Sequence, residues 1–78
     1  MARIDLNQIK PHNKSRNSIH DKVFATYTTF NYAGERILQI DTYGKDSREF
    51  TGKISQSIQI DKDTAMFLLN LIKQEFNF

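Results

Sequence analysis

Residues Lys53-Ile54-Ser55-Gln56-Ser57-Ile58-Gln59-Ile60 alternate between apolar and polar positions, which predicts a half-buried strand. Directly after it the period changes. Ala65, Leu68, Leu69, Ile72 and Phe76 recur at helical spacing, which predicts a helix over about 62–76. Asp61 is placed to cap it, since its carboxylate can accept from the free backbone N–H of Asp63 or Thr64. Lys73 suits the negative end of the helix dipole. Upstream, 22–32 is dense in β-branched and aromatic residues and predicts a strand; 36–43 predicts a second. Ala33-Gly34-Glu35 is expected to make the turn between them, with Gly34 free to take positive φ. Gly44 to Gly52 reads as a polar loop. Near the N-terminus, the alternation Arg3-Ile4-Asp5-Leu6 leaves room for a short strand. The polar stretch 11–18 then reads as a loop or mobile arm. The expected organisation is a basic N-terminal arm over 1–21 and a single domain over 22–78. The expected fold is α+β, an antiparallel sheet of three to four strands followed by one C-terminal helix.

Strand side chains alternate between two faces, so each predicted strand supplies two sets. The inward set is expected to be Phe24, Thr26, Thr28 and Phe30, with Leu38 and Ile40, and with Ile54, Ile58 and Ile60. The outward set is then Tyr27 and Thr29, Gln39, Asp41 and Tyr43, and Ser55, Ser57 and Gln59. That outer face is either plain solvent-facing sheet or a binding platform, with tyrosines to stack on bases and Arg36, Lys45, Arg48 and Lys53 to reach phosphates. Asp41 works against a polyanion there. The helix carries a second apolar side, Phe67 and Leu71 with Phe78. The loop and the N-terminal segment cover it, or a second copy does.

Composition narrows the chemistry. The chain has 78 residues, which is one domain, and a net charge of only +2. A domain of this size buries little surface and has no cysteine to staple it, so a homodimer is expected. The basic excess lies at the front: five basic residues against two aspartates in 1–22, then six against seven acidic residues in 23–78. The lack of cysteine excludes a disulfide scaffold, a thiol nucleophile and a cysteine zinc site. The longest apolar run is Ala65-Met66-Phe67-Leu68-Leu69, far short of a membrane span, and the N-terminus does not read as a secretory signal. A cytoplasmic protein without membrane contact is expected. His12 and His20 have no carboxylate at metal-ligand spacing. No Gly-x-Ser-x-Gly turn occurs, and Gly34, Gly44 and Gly52 are too dispersed to cradle a phosphate. No catalytic residue, metal or cofactor is expected, and the chain is not expected to be an enzyme.

The run Ser57-Ile58-Gln59-Ile60-Asp61-Lys62-Asp63-Thr64-Ala65-Met66-Phe67-Leu68 resembles the single-stranded-DNA-binding transcriptional coactivator family known as positive cofactor four. It shares a strand end, a polar cap, an acidic first turn and an apolar helix. Leu38-Gln39-Ile40-Asp41-Thr42-Tyr43 is similar to that family's strand ending in an aromatic, and the resemblance spans about 36–72. Ser57 stands where the family has glycine, and Gln56 where it has a basic residue. The resemblance implies a curved four-stranded sheet with a C-terminal helix, dimerised, whose strands grip single-stranded nucleic acid. It makes Tyr27, Arg36, Tyr43, Lys45, Arg48 and Lys53 candidate contacts. Lys14, Arg16 and Lys22 join them from the arm, and Phe67, Leu71 and Phe78 are the candidate dimer residues. The expected function is nucleic-acid binding, single strands favoured. The alternative is a non-catalytic protein-interaction module, a subunit or inhibitor of a larger bacterial or phage protein.

Overall fold

The structure is a computed structural model that describes residues 1–44 and 53–78. Four strands form one sheet: β1 (Ala2–Arg3), β2 (Ala25–Tyr32), β3 (Glu35–Tyr43) and β4 (Ile54–Ile60). They are followed by the helix α1 (Lys62–Phe76). The spatial order is β1-β4-β3-β2. The three long strands are antiparallel, as their alternation predicts, and the fold is α+β. β1 joins in parallel beside Ile58 and Gln59, and the Ile4 N–H extends the ladder to the Gln59 carbonyl at 3.0 Å. The short N-terminal strand therefore falls one step earlier than the Arg3–Leu6 alternation suggests. Leu6–Gln8 instead forms a single 3₁₀ turn capped by Asp5, which accepts from the Asn7 N–H at 2.9 Å. Residues 2–8 thus belong to the folded unit, and the exposed irregular stretch is 10–23.

The turn between β2 and β3 holds two residues, not three. Ala33 and Gly34 both take positive φ, 51° and 81°, and Tyr32 pairs with Glu35. Two central residues of positive φ match the right-handed twist of the flanking strands. One residue of difference in the turn exchanges the faces of a strand. Phe30 lies opposite Ile37, Thr28 opposite Gln39 and Thr26 opposite Asp41. The expected inward set of β2 therefore shares its face with Ile37, Gln39, Asp41 and Tyr43. Tyr27 and Thr29 share theirs with Ile40 and Leu38. A second shift lies at the far end of the sheet. Thr42 pairs with Gln56 and Tyr43 with Ile54, so Ser55 is an extra residue. This bulge turns Ile54 away from Ile58 and Ile60, with which the alternation groups it.

The helix runs over the predicted 62–76. The Thr64 N–H donates to Asp61 Oδ1 at 3.0 Å, and Asn77 closes the C-terminal end in the left-handed region at φ 57°. The start of α1 meets the sheet beside Leu38, Ile60 and Thr29, along a shallow cleft that Ala65 also lines. α1 also touches β3 and the Leu6–Gln8 turn, and Thr64 is fully buried. Beyond this first turn the helix is little covered. Among the described residues only Ile37 and Tyr43 are buried apolar side chains.

Candidate interaction surface

The two faces of the sheet differ in chemistry. On the Ile37 face several polar side chains bond one another. Gln59 Nε2 donates to Gln39 Oε1 at 2.7 Å, and Gln39 Nε2 donates to both Asp41 oxygens at 3.0 and 3.1 Å. This relay holds Asp41, which is only 7% exposed. The Tyr43 ring packs on Phe24 with centroids 5.3 Å apart, and its hydroxyl lies 3.2 Å from Thr26 Oγ1. At the edge of this face, Arg3 Nη2 bridges Glu35 at 3.1 Å and Asp61 at 3.6 Å. The bond to Glu35 raises the Arg3 pKa. The Asp61 carboxyl is held below the usual range by the Thr64 N–H, then by the neighbouring Thr64 hydroxyl and Arg3. Asp5 is lowered in the same sense by Gln8 Nε2, at 2.7 Å, and by the Asn7 N–H.

The Leu38 face and α1 are open. Ile40 and Ile58 are exposed although they stand mid-strand, and Met66, Phe67, Leu69, Leu71, Ile72 and Phe76 are exposed along the helix. Phe78 extends this surface at 83% exposure and stacks on Phe76, centroids 6.1 Å apart. The chain exposes 7226 Å², where a folded monomer of its mass exposes about 4,900 Å². Its radius of gyration is 14.5 Å, against about 11.5 Å for a globule of this length. The exposed stretch 10–23 and the exposed apolar side chains of α1 both contribute to this surface.

These positions divide the predicted site residues. Tyr27 is 78% exposed on the Leu38 face. Arg36 lies on that face too, donating to Thr29 Oγ1 at 2.8 Å and Asn31 Oδ1 at 3.2 Å. Tyr43 is on the opposite face and 7% exposed, so the expectation that Tyr27 and Tyr43 form one outward pair is corrected. The physical reason is the two-residue turn, which puts odd positions of β3 beside even positions of β2. Lys53 is exposed just before β4, and Lys14, Arg16 and Lys22 are exposed in 10–23. Lys45 and Arg48 lie outside the described residues. Phe67, Leu71 and Phe78 are all exposed, and so are Leu69, Ile72 and Phe76 of the row at helical spacing, which the sheet does not cover as that spacing suggests. Arg3 is a site residue that the sequence does not single out. Its only signal there is the alternation around it, which does not disclose two carboxylates more than thirty residues away.

Among the described residues, no group of three or more histidine or carboxylate side chains is placed to hold a metal ion, and no helix is long and apolar enough to cross a membrane. No family model, curated protein or solved structure matches the chain.

Proposed function

We propose that the chain is a non-catalytic, cytoplasmic protein-interaction module that works as a homodimer. The apolar side of α1, with the open Leu38 face, is its contact surface. One observation carries this: among its described residues the chain buries two apolar side chains and leaves a row of them exposed from Met66 to Phe78. Such a surface is the mark of an interface, and a core this small needs a partner to be stable. A second copy is the partner this reading takes, since a two-fold axis lets one apolar row cover its counterpart. Leu71→Glu places a charge in the dry contact and should shift the protein from dimer to monomer in sedimentation equilibrium, with the dissociation constant raised at least about 100-fold. A parent protein that stays monomeric at high concentration would remove the proposal.

A second reading, binding of single-stranded nucleic acid, is favoured by the exposed Tyr27 ring on the same face as Arg36, and by Lys10, Lys14, Arg16 and Lys22 in the exposed 10–23 stretch. It loses the Tyr43 platform, and the resemblance to positive cofactor four rests on residue pattern alone. If it holds, Tyr27→Ala should weaken binding of a fluorescent single-stranded oligonucleotide about 5- to 150-fold. Deleting 10–16 should lower the salt slope by about 0.7 for each phosphate that is no longer neutralised. An unchanged titration in both variants would end it.

A further inference from the structure

We infer that the free edge of β2 is a strand-addition site, and that its occupant is β2 of a second copy, running antiparallel. The inference rests on the homodimer reading for the identity of the partner, and adds the contact that orients it.

β2 is the last strand of the sheet, and no described strand pairs with its outer side. Its hydrogen-bonding alternation follows from the register. The Tyr43 N–H donates to the Phe24 carbonyl at 3.0 Å, so Phe24 and Tyr43 form a hydrogen-bonded pair. Such pairs recur at every second residue of an antiparallel ladder. Thr26, Thr28, Phe30 and Tyr32 therefore turn their backbone groups toward β3. Ala25, Tyr27, Thr29 and Asn31 turn theirs outward, to the free edge.

Sheets guard such edges with charged side chains, proline, bulges or very short strands. β2 has none of these. Its eight residues, Ala-Thr-Tyr-Thr-Thr-Phe-Asn-Tyr, include no charge and no proline, and its pairing with β3 runs without a register shift. The opposite edge does carry them: β1 is two residues long and ends in Arg3. The unguarded strand is thus the one whose native partner is still to be supplied.

Self-pairing fits its sequence. With Thr28 on the two-fold axis, Tyr27 meets Thr29 of the partner subunit and Ala25 meets Asn31 of the partner subunit. All four outward residues are then paired, giving about eight new hydrogen bonds. No like charges meet, because the strand has none. An axis normal to the sheet preserves its faces, so both α1 helices lie on the same side of the joined sheet. The exposed apolar rows then lie on one common side of the joined sheet.

The test uses amide hydrogen exchange read by NMR on the full chain, at concentrations above and below the dimer midpoint. The Ala25, Tyr27, Thr29 and Asn31 amides should be protected at high concentration and exchange at coil-like rates on dilution. The Thr26, Thr28 and Phe30 amides, which bond β3, should stay protected throughout. Thr29→Pro removes an outward N–H and leaves the β2–β3 ladder intact, so it should raise the dissociation constant at least about 100-fold with the sheet retained. A dimer whose four outward amides exchange freely overturns edge pairing and leaves the helix-mediated dimer standing. A monomer at every concentration overturns both. Protection that survives dilution means the edge is covered from within the chain, and also overturns self-pairing.

Discussion

The Ile37 face and the Leu38 face belong to the same three long strands, yet one is finished and the other is not. On the first, Gln59, Gln39 and Asp41 satisfy one another in series, and Tyr43 meets both a ring and a hydroxyl. On the second, Ile40, Ile58 and most of α1 keep their apolar atoms in water. Polar groups can be matched by neighbours a residue or two away, whereas burying apolar area requires a second layer. A single helix touching the sheet through its first turn is too little layer for this sheet. The surface left exposed is thus the apolar one, although the polar face, with its hydroxyls and amides, looks in sequence more like a binding platform.

The two faces should part most sharply at two isoleucines. Ile37→Ala opens a cavity at a site 2% exposed and should cost about 2–5 kcal/mol in urea unfolding. Ile40→Ala, on the open face, should cost about 1 kcal/mol in dilute protein, and more as concentration rises and a second copy covers it. Equal costs independent of concentration would mean the two faces are not different in kind. A smaller effect is expected at the helix cap. Asp61→Ala removes the acceptor for the Thr64 N–H and should lower Tm by roughly 4–8 °C near neutral pH. Because the folded carboxyl is held below its unfolded value, the contribution of Asp61 is complete above the ordinary carboxylate range, roughly pH 4. It is lost as pH falls through the lower folded value, so the gap between parent and variant should close on acidification. A gap constant down to acid pH would show that the cap acts without its charge. The smallest effect is at the turn: Ala33→Asn suits φ 51° better than alanine and should add about 0.5 kcal/mol without moving either face. A loss of stability there would mean the turn is not what holds the register.

The helix α1 is legible in the sequence almost to the residue, because a cap, a period change and a C-terminal lysine all fall within the same twenty positions. The three long strands are equally legible from β-branched and alternating residues. Which way they face is not. Residues 23–32 carry aromatics at both parities, Phe24 and Phe30 on one and Tyr27 on the other, so alternation alone does not orient β2. A three-residue turn at Ala33-Gly34-Glu35 pairs Phe30 with Leu38; the two-residue turn pairs it with Ile37. The face of Tyr27 relative to Tyr43 hangs on that one residue. β1 is out of reach for another reason: its two residues gain their structure from β4, more than fifty positions away, and no local pattern encodes that.

The guarded edge bears on how far assembly can go. A sheet with two open edges can add copies without limit, and a head-to-tail contact that does not close grows into a fibre. β1 occupies part of the β4 edge, and Arg3, tied to both Glu35 and Asp61, holds a charge there. If two protomers join at β2, the outer margins they present to a third carry β1 and the Arg3 charge. On this view the first residues of the chain limit growth, and the dimer is a terminus of assembly, not the first step of a polymer.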